Sequence, residues 1–330
     1  MSDTAFGVRT ERWPAKEVLR ITGHSFSGFD LVVVQIGRDG RIGQGEALGV
    51  YYLGDTAESV MTGVESVRDA IAQGAGRREL LQLLPAGGAR HAVDSALWDL
   101  ECKLSGVRCW PRAGTEPRAL QAQLTLGIEE SAEATGRQAA RLSDFPHLKL
   151  KVDANDPMSR VRAVRRARPD ARLVVDANQA WSFEDLLAHA EELAALGVYM
   201  VEQPLARGHD DKLSGYRCPV PLCADESCLD ETELPLASER YQFLNIKLDK
   251  VGGLTAGLAL ARRARDLGMR LMVGCMGGTS LSMAPAHVLA CAGPCEIADL
   301  DGPLWLRSDR LPSIEYTNGL MAPFGPEVWG

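Results

Sequence analysis

From about Ala119 onward the chain alternates between two hydrophobic patterns. Short β-rich runs, ALQAQLTLGI, HLKLKV, RLVVDAN, YMVEQP, PLCADES, FLNIKLD, RLMVGCM and CEIADLD, recur at steps of roughly 22 to 28 residues. Between them apolar residues return at three- and four-residue spacing. SFEDLLAHAEELAALG and GLTAGLALARRARDLG show it, and their closing Gly197 and Gly268 read as helix stops. Strands separated by helices predict a parallel sheet, and eight of them close into a barrel, an α/β architecture.

The first ~115 residues follow another pattern. DLVVVQIGRDGRIGQGEA predicts a hairpin turning at Asp39-Gly40, and TAESVMTGVESVRDAIAQG and ARHAVDSALWDLECKLSG read as helices. The expected organisation is an α+β domain over residues 1–115, a barrel over 116–306, and a tail, 307–330, that packs back to complete the first domain.

At 330 residues and 45% hydrophobic content the chain can bury a sizeable core. A formal charge of -8 argues against nucleic acid and anionic membrane surfaces as partners. No stretch gives ~18 consecutive apolar residues, and the opening MSDTAFGVRTERWP lacks the apolar run of a secretory signal, so the expected address is the cytoplasm. Assembly into a homo-oligomer stays open. The eight cysteines are too dilute for a disulfide framework, and the five-residue steps between Cys218, Cys223 and Cys228 match no common zinc spacing.

Chemistry in such a barrel sits where strands end, because side chains there converge on one mouth. In HLKLKV, Lys149 and Lys151 alternate with Leu148, Leu150 and Val152, so both ammonium groups share one face. Later runs end in Asp176, Glu202, Asp225, Lys247, and Asp299 with Asp301. A lone Asp at a strand end is usually a helix cap, and a lone interior lysine usually pairs with a carboxylate. Here six of the seven runs after the first end in charge, so the charges must compensate one another or a metal. Asp176, Glu202 and Asp225 lie on three consecutive strands, an all-oxygen set suited to Mg2+, with Lys151 on the strand before and Lys247 on the strand after. VGGLTAGLAL lacks the glycine order of a dinucleotide site. Of the scattered histidines only His24 remains a candidate, in a loop expected to cover the mouth.

KLK at 149–151, VDAN at 175–178, VEQP at 201–204, ADES at 224–227 and NIKLDK at 245–250 resemble motifs of the enolase superfamily, and within it the muconate-lactonizing subgroup. The resemblance covers nearly the whole chain. It implies a modified TIM barrel, (β/α)7β, behind an α+β capping domain. DLDGP, Asp299 to Pro303, is similar to the D-x-D signature of dipeptide epimerases, and the run from Gly274 through DLDGPLW resembles L-Ala-D/L-Glu epimerases. On this resemblance Asp176, Glu202 and Asp225 bind Mg2+, Lys151 and Lys247 are the acid/base pair, and Lys149 tunes Lys151. Asp299 and Asp301 hold the α-ammonium group of a dipeptide, with His24, Gly277 and Gly278 at the substrate.

The implied reaction is a 1,1-proton transfer through a metal-stabilised enolate that inverts the α-carbon of the C-terminal residue. The α-proton beside a carboxylate is weakly acidic, and a lysine with a pKa near ~10.4 is almost wholly protonated at neutral pH. A second lysine and a divalent cation nearby disfavour that extra charge, which makes the base available. Cycloisomerase, o-succinylbenzoate synthase and N-acylamino acid racemase activities remain alternatives, as does a barrel without turnover. One departure bears on substrate: TGHSFSGFD has no arginine between Arg20 and Arg38, where an Ala-Glu epimerase is expected to carry one. Small or apolar side chains are therefore expected over glutamate, with Phe26 and Phe29 adding apolar contact.

Overall fold

The computed structural model describes residues 5–330. Its first sheet is antiparallel and joins β1 (Ala5–Ile21), β2 (His24–Arg38) and β3 (Arg41–Ala47) in that order. The turn between β2 and β3 falls where the sequence predicts it. Arg38 pairs with Arg41, and Asp39 and Gly40 take φ of 49° and 71°, the left-handed pair a two-residue hairpin requires. β1 escapes the alternation reading because Pro14 and several charges interrupt it. Its pairing with β2 shifts register between Pro14 and Leu19, where proline offers no N–H to the ladder. The segment TGHSFSGFD, expected as a loop, is instead a hairpin tip: Ile21 faces His24 and Leu19 faces Phe26 across a turn at Thr22-Gly23.

Val32, Val34 and Ile36 of this sheet bury against Val93, Ala96, Leu97 and Leu100 of the helix Gly88–Ser105. The helix lies close on β3 because Gly43 and Gly45 face it; a Cβ at either would collide with the Ala96 or Ala92 carbonyl.

The second half builds the barrel. The run ALQAQLTLGI divides in two: β4 (Leu120–Gln121) leaves the barrel and only β5 (Leu124–Leu126) enters it. Then follow β6 (His147–Lys151), β7 (Arg172–Asp176), β8 (Val198–Glu202), β9 (Leu222–Ala224), β10 (Phe243–Lys247), β11 (Arg270–Gly274) and β12 (Ile297–Asp299), each parallel to its chain neighbour. A parallel bridge from Ala122 to Ala298 closes the ring. β4 is captured by the chain's end, pairing with β14 (Leu320–Met321), which in turn pairs with β13 (Tyr316–Thr317). The tail then reaches the helix Gly88–Ser105, where the buried Trp329 Nε1 donates to the Gln44 and Ser95 carbonyls. Among the described residues no helix is long and apolar enough to cross a membrane.

Strand alternation decides what faces the barrel axis. Val174, Met200, Cys223, Phe243, Met272 and Ile297 form an apolar interior cluster. Two residues further along five of those six strands lie Asp176, Glu202, Asp225, Asn245 and Asp299, so the same period that fills the floor raises a polar layer above it.

Candidate active site

Lys149 lies deepest in that layer. Its Nζ is 2.7 Å from Glu202 Oε2, 2.8 Å from Asp299 Oδ2 and 3.0 Å from Asp176 Oδ2, in full burial. Lys151 Nζ, on the same face one step higher, is 2.6 Å from Asp176 Oδ2. Across the ring, Lys247 Nζ is 2.7 Å from Asp225 Oδ2. Asp225 is also gripped by Lys250, whose Nζ lies 2.6 Å from its Oδ1 and 2.6 Å from its backbone oxygen. Asn245 Nδ2 donates to Glu202 Oε1 at 2.8 Å.

The electrostatics follow from crowding. Burial works against a charge on Lys149, but the carboxylates of Asp299, Glu202 and Asp176 outweigh it and raise its pKa well above the ordinary ammonium value. Burial opposes the charge on Lys247 too, and Asp225 again outweighs it. Glu202 is pushed up to about 7, first by burial and then by Asp176. Burial also acts to raise Asp225, yet Lys247 and Lys250 hold it far below the usual carboxylate range. Asp301 rises to about 6 through burial and the neighbouring Asp299. Its Oδ2 accepts from Thr125 N at 2.8 Å and Trp305 Nε1 at 3.0 Å.

Asp176, Glu202 and Asp225 fit a hard divalent cation by donor chemistry and by mutual repulsion: Asp176 and Asp225 both push Glu202 upward. They do not form a finished cage. Among the described residues no three acidic, His or Cys side chains converge on one point, because each of these carboxylates is turned toward an ammonium group. A cation would take the place of Lys151 on Asp176 and of Lys247 on Asp225, while Lys149 keeps its contact with Asp299.

Leu19, Ile21, Phe26 and Phe29 of the cap form one wall of the cavity above the lysines; Tyr51, Thr125, Met276 and Trp305 contribute to the rest. Of the residues singled out in the sequence, Lys149, Lys151, Lys247, Asp299, Asp301 and Gly277 line it. Asp176, Glu202 and Asp225 are fully buried. Gly278 sits behind Gly277 against Glu46, and His24 is exposed outside the cavity, its ring 4.7 Å from that of Tyr51. Sequence reasoning passed over Asn245, Lys250, Tyr51, Thr125 and Trp305. Alternation with Lys247 would have placed Asn245 inside the barrel; Lys250 lies past the strand, where no period applies.

A closed parallel barrel with acidic strand ends flanked by lysines, under an antiparallel cap, defines an enolase-like protein. Residues 127–326 match the family model described as enolase C-terminal domain-like, and the chain belongs to that family. It is 40% identical over 316 residues to the L-Ala-D/L-Glu epimerase of Escherichia coli (strain K12), covering 94% of this chain and 96% of that one. It is 42% identical over 252 residues to an N-acetyl-D-glutamate racemase of Pseudoalteromonas sp, covering 76% and 79%. A solved enolase family member from Agrobacterium tumefaciens with homology to dipeptide epimerases, with bound sodium, L-Ala-L-Glu and an ordered loop, has a TM-score of 0.96 at 38% identity, covering 99% of this chain and 100% of that one.

Proposed function

We propose that this protein is an isomerase, a Mg2+-dependent dipeptide epimerase that inverts the α-carbon of the C-terminal residue. The observation that carries the reading is the placement of Lys151 on β6 and Lys247 on β10, on either side of the three carboxylates and in one cavity with Asp299 and Asp301. Asp176, Glu202 and Asp225 would hold the cation, which would supply positive charge to stabilise the developing enolate. Asp299 and Asp301 anchor the α-ammonium group and so fix which carbon lies between the lysines. Lys151 takes the α-proton from one face, and Lys247 returns a proton to the other; in the reverse direction they exchange roles. Lys149 remains charged among its carboxylates and keeps a positive group beside Lys151. The division into a cap, 1–115 with 307–330, and a catalytic barrel, 116–306, belongs to the same reading, as does a cytoplasmic location.

Two readings of the substrate side chain compete. The cavity wall of Leu19, Ile21, Phe26, Phe29 and Met276 favours small or apolar side chains, since of the cations lining the cavity Lys149 is held by Asp299 and its neighbours, and Lys151 and Lys247 are assigned to the α-carbon. The two relatives near 40% identity favour glutamate, and one of them is a racemase of an N-acetylated amino acid. The deciding experiment incubates the Mg2+-loaded protein in D2O with L-Ala dipeptides and N-acetylglutamate and reads α-deuteration by mass spectrometry. Deuteration of dipeptides at the C-terminal α-carbon supports the function; deuteration confined to the N-acetyl substrate overturns it.

A further inference from the structure

Glu46, the second-last residue of β3, is fully buried, and all its side-chain bonds leave its own sheet. Oε1 accepts from Thr279 N at 2.8 Å, and Oε2 accepts from Thr279 Oγ1 at 2.7 Å and from Arg310 Nε and Nη2 at 2.9 and 2.6 Å. The same Arg310 Nη2 reaches Glu11 Oε2 at 2.6 Å, so the arginine is braced from two cap strands. Thr279 caps the helix Ser280–Ala292 and directly follows Gly277 and Gly278, whose φ of 126° and 137° suit glycine.

The contact then passes across the cavity's edge. A Cβ on Gly278 would stand 3.0 Å from Glu46 Oε1 and 2.9 Å from Ser282 Cβ, so there is no slack on that side. A Cβ on Gly302 would stand 2.9 Å from the Gly278 oxygen and 3.1 Å from its nitrogen. Gly302 directly follows Asp301 and opens the short turn carrying Trp305, which donates to the Asp301 carboxylate. Glu46, the Gly278 backbone and Gly302 are thus stacked without a gap, and the last of them carries the acid assigned to the substrate ammonium.

We propose that Glu46 is a positioning residue that sets ammonium recognition from the cap: it fixes Thr279, the glycine backbone before it, and through Gly302 the place of Asp301. The inference rests on the dipeptide reading of the site. A plain structural tie between cap and barrel would weaken binding of every ligand alike, whereas a positioning role weakens binding selectively where an ammonium group is recognised. Paired ligands separate the two: an L-Ala dipeptide, and its N-propionyl analogue, which is the same molecule without the ammonium group. In Glu46→Gln the KM of the dipeptide should rise about tenfold, the scale of one displaced charged hydrogen bond. The Ki of the propionyl analogue and the kcat of the dipeptide should stay close to wild type. Thr279→Val, which removes the hydroxyl donor and keeps the shape, should move KM in the same direction and decides the matter if Glu46→Gln does not fold. Parallel loss of both ligands, or no change in either, overturns the proposal. A wild-type protein inert toward dipeptides overturns the reading of the site itself, and this inference with it.

Discussion

Lys149 touches Asp176, Glu202 and Asp299 at once, and this gives the lysine pair a clearer division of labour than alternation alone suggested. The deeper lysine is a permanent counter-ion, raised well above its ordinary pKa by three acids. The outer one contacts a single carboxylate and lines the cavity, as Lys247 does opposite it. In the proposed reaction the outer two exchange a proton with the substrate, each on one face. Replacing either Lys151 or Lys247 by Ala should therefore reduce epimerisation at least ~10^2-fold, the usual scale for losing one acid/base group. A sharper signature lies in the two epimers taken separately. Each variant should still exchange the α-proton of the epimer that faces the remaining lysine, and lose exchange of the other. Equal exchange of both epimers in a single-lysine variant would refute the two-base arrangement.

Between elements, the seam of cap and barrel is tied by buried groups that the sequence did not announce. Asp249, just past β10, points away from the cavity and accepts from Leu48 N and Gly49 N, both at 2.9 Å, directly before the turn that carries Tyr51. Burial raises its pKa from 3.8 to about 6 despite those two bonds. A carboxyl raised on folding favours the fold most below its unfolded pKa, and that contribution is lost as pH rises through the folded value, here between about 4 and 6. Asn at 249 can accept the same two N–H groups without a charge. Asp249→Asn should thus gain stability relative to wild type as pH rises from 4 to 7, by about 2 kcal/mol as an order of magnitude, measured by urea unfolding across that range. A constant difference between the two proteins would sink the argument. Legibility divides along the same line. The polar layer could be read because a two-residue period forces Asp176, Glu202, Asp225, Lys247 and Asp299 inward, whatever the partners. β1, the hairpin tip at Thr22-Gly23 and the capture of β4 by β14 depend on pairing between distant segments, and no local period records that. Asp249 and Lys250 lie past a strand end, where direction is set by tertiary contact alone.

Taken over the whole molecule, the active-site carboxylates have two sets of possible counter-charges, and this sets what removal of the cation does. Lys149, Lys151, Lys247 and Lys250 already neutralise Asp176, Glu202 and Asp225 without a metal. Chelation should abolish turnover and leave the fold intact. The expected loss is the binding term alone, about 2.7 kcal/mol if the ion was present at a hundredfold excess over its Kd. Circular dichroism before and after EDTA checks this, and collapse of the fold would mean the lysines do not compensate. The same accounting of charge bears on substrate choice. With Lys149 held by its acids, Lys151 and Lys247 assigned to the α-carbon, and Arg20 exposed on the far side of the hairpin tip from Leu19 and Ile21, a glutamate side chain entering beside Phe26 and Phe29 would lose solvation and gain no free cation. Such a charge costs several kcal/mol after relaxation, whereas a methyl or isobutyl group there buries apolar surface at a gain of roughly 25 cal/mol per Å². Ala-Val and Ala-Leu should accordingly exceed Ala-Glu in kcat/KM, even though the relatives near 40% identity act on glutamate derivatives. Competition assays with the three dipeptides at equal concentration measure this directly. A tenfold or greater preference for Ala-Glu would show that loading the metal frees one of the lysines to meet the side-chain carboxylate, and the apolar wall would then be packing for the hairpin and no guide to specificity.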